Sequence, residues 1–362
     1  MKYTFFRHLS VPAMAICAMS LCLSACSDDD DPVVEEEDDV ESLLTTELAD
    51  SIWSAYSSLY TFTDATEVTP TDTAADYYED YADNWLEGDD TRDVTITFSD
   101  DTATVEFASS KNTKFISIDQ DGAHLVIYND SVLDGEAAGR GRMNFILKGS
   151  TSDGSVRFYS NKKFMITLDG VSLTNSRGAA INVQKSLEKK RVFVNIAEGT
   201  ENYLTDATNY TDTVAGEDDK GCLFSEGKLV LMGDGQLTVT GNYNHAIAAD
   251  DRMHIHSGVR LNVVCNAKDG IHINDELVMS GGLVQVYAPK DAVQCDSLSD
   301  GLVLRGGRLL TCAKRAITAT PFVYSAGSFC AIGASSDVPT SGLATWSYTK
   351  QEDGYYILES AE

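Results

Sequence analysis

The fold is decided by residues 221–320, in which five short apolar segments recur: CLFS (222–225), AIAAD (246–250), GIHIN (270–274), AVQCD (292–296) and AITA (316–319). Their central residues are 24, 24, 22 and 24 positions apart. These central residues are Leu223, Ile247, Ile271, Val293 and Ile317. The chain therefore repeats itself about every 22–24 residues.

Each repeat also contains two further apolar alternations separated by glycines. In the first repeat these are 229–231 and 237–239, with Gly233 and Gly235 between them. Alternation with a period of two residues predicts short strands, and Gly, Asp and Asn predict the turns between them. Each repeat is therefore predicted to hold three strands, and it must stack on its neighbours to bury its apolar face.

Three repeat architectures compete for this pattern. A leucine-rich repeat has a similar length, but its Leu/Asn consensus is absent and no part of the repeat resembles a helix. Propeller blades need about 40 residues or more. Three strands in 22–24 residues fit one coil of a parallel β-helix best, so the sequence predicts an all-β solenoid.

The composition limits the choice of partners. The net charge is -29, and twelve of the 56 acidic residues lie between Asp28 and Asp50. A nucleic-acid partner is not expected, because the phosphate backbone requires Lys and Arg. Calcium is a natural counter-ion for clustered carboxylates.

The N-terminus resembles a lipoprotein leader. Residues 1–25 combine basic residues with an apolar run that is too short to span a bilayer, and they end at the box LSAC with Cys26 as the predicted lipidation site. An ordinary signal peptide with an incidental Cys is the alternative. Residues 26–42 form an acidic tether, either simply solvated or similar to an export signal. We expect a protein anchored in the outer membrane by lipid alone, facing the cell exterior.

The remaining chain divides into three predicted parts. Residues 43–142 are a cap region, with a helix between 43 and 60 that covers the first coil and then β structure. Residues 143–320 are the coils, and residues 321–362 are closing strands. An insertion of roughly 18 residues separates Ile181 from Leu223 and contains 205–220; such loops commonly lie on a binding face. The loop aromatics Tyr77, Tyr78, Tyr81 and Trp85 are either local packing or a sugar platform.

Several phrases in the chain resemble a known family. They are MITLDGV (165–171), AI (180–181), EGTEN (198–202), GDGQL (233–237) and DGI (269–271). Together they look like the carbohydrate-binding β-helix family that is structurally akin to polysaccharide lyases, over residues 94–320. The resemblance implies a right-handed, single-stranded parallel β-helix, calcium sites, and binding to plant-wall polysaccharides such as polygalacturonate or cellulose. It does not imply lytic activity.

Two acidic sets are candidate calcium ligands. Stacked strands lie about 4.8 Å apart, so Asp269 and Asp291, one repeat apart, could share a cation. At the other end of the same strands the chain offers further oxygens, and calcium takes six to eight of them. These further candidates are Asp250, Asp251, Asn274, Asp275 and Asp296. The alternative is that Asp and Asn serve only as turn residues.

A basic column precedes the same strands and is the candidate glycan-binding site. It consists of Lys268, Lys290 and Lys314, with Arg315 beside it. The lysines could meet the carboxylates of a uronate polymer or could neutralise the adjacent aspartates. Lys268 or Lys290 could also act as the base of a lyase, but such a base must be a neutral amine, and each lysine precedes an aspartate. Hydrolysis of a glycosidic bond by a pair of carboxyl groups is a further alternative that stays open.

The histidines and cysteines predict no further site. His254, His256 and His272 have the spacing of solvated strand faces, so zinc is not expected. Cys222, Cys265, Cys295, Cys312 and Cys330 lie in apolar strands and are predicted to be buried small hydrophobes; a disulfide is the alternative in an exported protein.

These observations predict a non-catalytic polysaccharide-binding lipoprotein, a monomer that uses calcium. The first alternative is a calcium-dependent lyase or glycoside hydrolase on the same scaffold. The second is a structural surface adhesin without a glycan.

Overall fold

Short β-strands make up most of the described chain. The computed structural model describes residues 46–57, 92–129, 132–133, 136–137, 143–160, 162–185, 191–299, 301–334, 349–350 and 356–359, all within one compact unit, Glu41–Glu362. The predicted leader (1–25), Cys26, the tether (26–42) and the loop aromatics near Tyr77 lie outside the described residues. The prediction of an all-β chain is confirmed.

The strands before the repeats are of uneven length. They are β1 (Asp93–Ser99), β2 (Thr102–Phe107), β3 (Ser117–Asp121), β4 (Ala123–Asn129), β5 (Val132–Leu133), β6 (Glu136–Ala137), β7 (Met143–Thr151), β8 (Gly154–Ser160), β9 (Phe164–Thr174), β10 (Ile181–Lys185), β11 (Arg191–Ile196) and β12 (Glu201–Thr205).

The five repeats then contribute three strands each, as predicted. They are β13 (Gly221–Ser225), β14 (Lys228–Met232), β15 (Gln236–Gly241), β16 (His245–Ala249), β17 (Met253–Ile255), β18 (Arg260–Cys265), β19 (Ile271–Ile273), β20 (Glu276–Met279), β21 (Leu283–Tyr287), β22 (Asp291–Cys295), β23 (Gly301–Leu304), β24 (Arg308–Ala313), β25 (Arg315–Ala319), β26 (Phe322–Tyr324) and β27 (Ser328–Gly333). The last strands are β28 (Thr349–Lys350) and β29 (Tyr356–Glu359).

The first strand of each repeat belongs to a nine-stranded sheet, in the order β25-β22-β19-β16-β13-β10-β8-β4-β3. All its pairs from β4 onward are parallel, and Leu223 pairs with Ile247, which pairs with Ile271. Val293 and Ile317 continue this column. The alignment of the repeats is therefore confirmed residue by residue.

The second and third strands form two further parallel ladders. One runs through β14, β17, β20, β23 and β26, and the other through β15, β18, β21, β24 and β27. The long strand β9 joins the two, because its first half pairs with β11 and its second half with β12. Leu223, Leu229 and Leu237, one from each ladder, belong to a single buried cluster.

Glycines allow the turns between the second and third strands to stack closely. Gly282 and Gly307 have φ of 82° and 81°, a region that L side chains rarely adopt. A Cβ at Gly307 would lie 2.4 Å from the carbonyl oxygen of Gly282 in the neighbouring repeat. The turn glycines therefore permit both the backbone conformation and the contact between repeats.

Parallel pairing extends beyond residues 143–320 on both sides. Parallel pairing begins before residue 143, because β1 pairs in parallel with β7, and β4 with β8. It also continues past residue 320 to β27, where β29 closes the ladder in antiparallel pairing. The hairpin β1–β2 is antiparallel. The strands before 143 were not recognised as stacked because they lack the regular spacing of the repeats.

The predicted N-terminal helix exists as α1 (Thr46–Ser57) but does not cover the first coil. Its Trp53 ring lies 5.8 Å from the Tyr287 ring on β21, centroid to centroid. Trp53 also packs against a buried cluster from β24, β27 and β29 that includes Leu310 and Ile332. The helix therefore covers apolar surface near the end of the ladders. Among the described residues, no helix is both long and apolar enough to cross a membrane.

Candidate functional site

The turns that precede β19, β22 and β25 place three lysines one repeat apart. We name Lys268, Lys290 and Lys314 the basic row; all three are exposed. The Lys290 N–H donates to the Lys268 carbonyl (3.1 Å), and the Arg315 N–H donates to the Lys290 carbonyl (2.8 Å). The backbone ladder thus fixes the lysines at the spacing of the strands, about 4.8 Å for each step.

Arg315 does not extend the basic row. Its guanidinium forms a bidentate ion pair with Asp291, in which Nε lies 2.6 Å from Oδ1 and Nη2 lies 2.6 Å from Oδ2. The Thr318 hydroxyl also donates to Asp291. Bidentate pairing of this kind is strong and directional. Of the four predicted glycan contacts, three therefore face solvent and Arg315 is engaged within the protein.

Buried carboxylates lie directly beneath the basic row. The side chains of Asp269 and Asp291 are both 0% exposed. Lys290 Nζ lies 3.6 Å from Asp269 Oδ2 and 3.7 Å from Asp291 Oδ2. These two aspartates were predicted to share a calcium ion. In the structure the ammonium group of Lys290 lies close to both of them.

Two stacked histidines complete the surroundings of Asp269. His272 Nδ1 lies 3.2 Å from Asp269 Oδ2, and its Nε2 lies 3.1 Å from Asp296 Oδ2. His245 Nδ1 approaches the same Asp269 oxygen at 3.1 Å, without hydrogen-bond alignment. The two imidazole centroids are 4.2 Å apart. We name His245, Asp269, His272 and Asp296 the histidine–aspartate cluster.

The surroundings of each side chain in the cluster determine which of them are charged. Burial lowers the pKa of His272, but its hydrogen bonds to Asp269 and Asp296 outweigh burial and raise the pKa to about 9. For His245 burial dominates and lowers the pKa to about 4. Burial would raise the pKa of Asp269, yet the histidines and Lys290 hold it well below its usual range. At neutral pH His272 is thus a cation between two carboxylates, and His245 is neutral.

The geometry of the cluster does not suit a transition metal. His245, Asp269 and His272 bring three ligand atoms within 4.8 Å of one another. However, the imidazole planes are stacked with only 24° between them. A metal bound along the lone pair of one ring would therefore lie well out of the plane of the other.

The turns that follow the first strands carry the other predicted calcium ligands. Equivalent positions in successive repeats are occupied by Asp250, Asn274 and Asp296. The backbone N–H of each donates to a carbonyl oxygen of the preceding repeat, those of Ser225, Ala249 and Ile273 respectively. Asn274 Nδ2 donates to Asp250 Oδ1 (3.3 Å), and Lys220 Nζ lies 3.2 Å from the same oxygen.

Asp251 and Asp275 follow in the next register, where the Asp275 N–H donates to the Asp251 carbonyl (3.4 Å). Both are half-buried. This set supplies stacked oxygens of the kind that calcium prefers, although Asp250 is paired with Lys220 and Asp296 with His272. A calcium site stays a prediction for both acidic sets.

Two histidines that were predicted to be solvated are buried. His254 and His256 are 2% and 0% exposed, and their rings stack at 4.3 Å. His254 pairs with Val230 and Val278 of the neighbouring repeats, which form an apolar column. His254 Nε2 lies 2.9 Å from the Ser280 hydroxyl oxygen, which satisfies it. The five described cysteines are buried free thiols, as predicted.

The insertion after β12 forms a second polar region, whose internal contacts could not be predicted from the sequence. Arg157 on β8 is 11% exposed and lies 2.6 Å from Glu217 and 3.1 Å from Asp219 of the insertion. The neighbouring Tyr159 donates to Glu217 (2.7 Å) and stacks on Tyr128, with centroids 5.0 Å apart. Residues 205–220 are predicted to form a loop of the kind that lies on a binding face. Nothing in the sequence indicates that Arg157 pairs with the acidic side chains of this loop.

Comparison with known proteins agrees with a carbohydrate-related chain. A family described as carbohydrate-binding domain-containing protein matches residues 129–353, more than half of the 362 residues. A protein of Acetivibrio thermocellus with the same description is 34% identical over 118 residues. That alignment covers 32% of this chain and 40% of the relative, so the chain spans about two fifths of the relative's length.

One solved structure is also similar. It is described as a polysaccharide lyase-like protein from C. thermocellum, gadolinium derivative, with 19% identity and a TM-score of 0.48. The match covers 66% of this chain and 93% of that one.

Proposed function

Because the chain belongs to the family of carbohydrate-binding domain-containing proteins, we propose that it binds an acidic polysaccharide through the basic row and does not cleave it. Polygalacturonate, a polymer of uronate, is the favoured ligand and cellulose the neutral alternative. The observation that carries this proposal is the line of exposed lysines, one in each of three successive repeats, on a rigid parallel sheet. A periodic polymer and a periodic cationic surface can meet at several points at once.

The scaffold we propose is a right-handed, single-stranded parallel β-helix. Each repeat has three strands, and each strand pairs in parallel with its counterpart in the next repeat. Parallel strands joined by crossovers are right-handed in nearly all proteins. Successive coils would then stack into a solenoid with the basic row along one edge.

The charge arrangement reconciles an acidic protein with an acidic ligand. The carboxylates next to the row, Asp269 and Asp291, are buried and paired. Their charges are offset by His272, Arg315 and the row's own Lys290. The three lysine side chains of the row nevertheless stay exposed to solvent. Since exposed charges are screened beyond about 10 Å at 0.1 M salt, a glycan at the row is attracted by the lysines more than it is repelled by the net charge of -29.

Calcium would contribute at the turns that hold Asp250, Asp251, Asn274, Asp275 and Asp296. Their stacked carboxylate and amide oxygens fit the preference of calcium. A bound ion would order these turns and offer a further contact to a glycan carboxylate.

A lyase is the enzymatic alternative, and the surroundings of Lys290 argue against it. A lyase base must be a neutral amine when it abstracts a proton. Lys290 instead lies within 3.7 Å of two buried carboxylates, Asp269 and Asp291. A structural adhesin would need no exposed cationic row of this kind.

We further propose that the protein is a monomer at the cell surface. The lipoprotein box ending at Cys26 supports attachment to the outer membrane through lipid alone, and the acidic residues 26–42 would hold the domain away from the bilayer. A nucleic-acid partner is not part of this proposal.

The test is retention of the purified protein on polygalacturonate, on its fully methyl-esterified form and on cellulose, with calcium and with chelator. We expect retention on polygalacturonate and little on the ester, which has the same backbone without the charge. Equal retention on both would contradict a role for the basic row. Release of unsaturated uronate products, followed by ultraviolet absorbance, would contradict a non-catalytic function.

A further inference from the structure

A small cavity lies on the outer face of the nine-stranded sheet, at the end remote from the basic row. Its volume is about 120 Å³. Tyr128, Arg157, Tyr159 and Asn182 form part of its floor, and Asp212 and Val214 of the insertion form part of its roof. We name it the roofed cavity. An engineered cavity of about 150 Å³ accommodates benzene. A sugar ring with its hydroxyl groups is larger than benzene, so this smaller cavity would hold one ring only in part, with the remainder in solvent.

The roof is held in place by contacts at several points. Arg157 donates to Glu217 (2.6 Å), to Asp219 (3.1 Å) and to the Asp212 carbonyl (3.1 Å). Gln184 on β10 donates to the Asp218 carbonyl (2.7 Å). Most small-molecule sites are formed before the ligand arrives, which lowers the entropy cost of binding. The roofed cavity has that property.

The lining combines two tyrosine rings, stacked on each other, with polar groups. Tyr128 and Tyr159 are parallel to within 7° and half-buried. Ser155, Asn182 and Asp212 lie around them. The Ser155 hydroxyl oxygen lies 2.9 Å from His124 Nδ1, and the Asn182 amide donates to Asp219, so a sugar hydroxyl would have to share these groups with their protein partners. A pyranose ring has apolar C–H faces and hydroxyl groups at its edge, so it needs an aromatic surface together with hydrogen-bond donors and acceptors.

The charges around the cavity select a neutral ring. Arg157, the cation of the lining, is already paired with Glu217 and Asp219. The nearby Arg177 donates to the lining residue His124 and pairs with Asp121. A uronate carboxylate would enter a region with more negative than positive charge and find no available cation in Arg157. This is the opposite of the basic row, where the cations are exposed.

We propose that the roofed cavity is a second saccharide site that takes one neutral sugar residue, such as the end of a glycan chain or a side branch. The proposal rests on the proposed function only in that both ligands are saccharides, since the residues of the two sites are different. Its size excludes a polymer chain passing through, so it recognises a terminal residue.

The test is saturation-transfer difference NMR on the purified full chain with glucose, galactose, xylose and arabinose, each alone. We expect transfer to at least one neutral sugar and none to galacturonate. Tyr128→Ala, which removes part of the floor, should weaken the affinity about tenfold, the size of one lost aromatic contact.

Two further variants make the outcome decisive. Val214→Trp adds a bulky side chain at an exposed position of the roof (42% exposed) and should block the cavity even if Tyr128→Ala fails to fold. Tyr243→Ala is the matched control, because Tyr243 is a partly exposed tyrosine stacked on Tyr210 and does not line the cavity.

Absence of transfer to every neutral sugar in the unaltered protein would overturn the proposal, as would undiminished transfer in Val214→Trp. Polygalacturonate retention separates the two ideas. If polygalacturonate is retained but no neutral sugar shows saturation transfer, only the proposal for the roofed cavity is wrong. If a neutral sugar shows saturation transfer but polygalacturonate is not retained, only the proposal for the basic row is wrong.

Discussion

At the β19–β25 end of the nine-stranded sheet the carboxylates are buried and the cations lie outside, whereas at the β8–β10 end a nearly buried cation pairs with carboxylates of which only one is more exposed than it is. Asp269 and Asp291 are covered by an exposed Lys290 in the first region. In the second region Arg157 (11% exposed) pairs with Asp219 (7%) and with Glu217 (20%), which is the most exposed of the three. Both regions pair opposite charges, so pairing alone does not decide what the surface presents. The side chain nearest to solvent sets the sign that a ligand meets.

The largest expected effect is the loss of the buried cation. Arg157→Ala leaves Glu217 and Asp219 facing each other without a counter-charge, and breaking a buried pair in this way costs about 3–5 kcal/mol. We expect the unfolding free energy in urea to fall by that amount. Arg177→Ala is the control, because Arg177 is 37% exposed and its partner Asp121 is 83% exposed. A similar loss in both variants would show that burial does not distinguish them.

The second effect concerns the pH dependence of the insertion. Burial raises the pKa of Asp206 from 3.8 to about 6, although the Tyr210 hydroxyl and the Asn242 N–H stabilise its carboxylate. The folded state therefore holds a proton that the unfolded state releases between these two values. Stability from this group is present at low pH and is lost as the pH rises through about 6.

Asp206→Asn keeps the shape of this side chain and removes its titration. We expect the unfolding free energy of the unaltered protein, relative to the variant, to be about 2–3 kcal/mol higher near pH 4 than near pH 7. Urea unfolding across this range measures the difference. A difference that does not change with pH, or that grows toward neutral pH, would contradict the protonated carboxyl.

The repeat region shows how much the sequence predicted. The column from Leu223 to Ile317 was predicted because apolar residues at a fixed spacing must stack, and the structure pairs them in that register. The lysines and aspartates before each strand followed from the same spacing. His254 was misjudged because its polarity was considered alone, while its neighbours Val230 and Val278 indicate a covered column.

The insertion region shows what spacing cannot predict. Arg157 contacts Glu217, which is 60 residues away in sequence, and no period relates the two. The same holds for Trp53 on α1, whose partner Tyr287 lies far along the chain. Contacts outside the repeat depend on the path of an irregular segment. The basic row was therefore predictable as a set, and the roofed cavity was not.

The third effect is on binding at the exposed cations. Replacing Lys268, Lys290 and Lys314 with Ala should weaken binding to polygalacturonate about 10- to 100-fold, because each exposed ion pair contributes up to about 1 kcal/mol. The matched control replaces Lys111, Lys114 and Lys148, which changes the net charge equally away from the row. Equal weakening by both triple variants would show that net charge, and not the row, attracts the glycan. Affinity electrophoresis in gels containing polygalacturonate measures all three proteins.

The smallest effect is a response to salt that should differ between the two regions. Raising the ionic strength from about 0.01 M to 0.15 M shortens the screening length from about 30 Å to about 8 Å. The attraction between exposed lysines and uronates should weaken several-fold over this range. A neutral sugar in the roofed cavity has no charge to screen, so its saturation-transfer signal should stay constant. The control is the methyl-esterified polymer, whose retention should not respond to salt. If the neutral-sugar signal falls in parallel with polygalacturonate retention, the two ligands share one site, and the opposite placement of charge does not separate two binding surfaces.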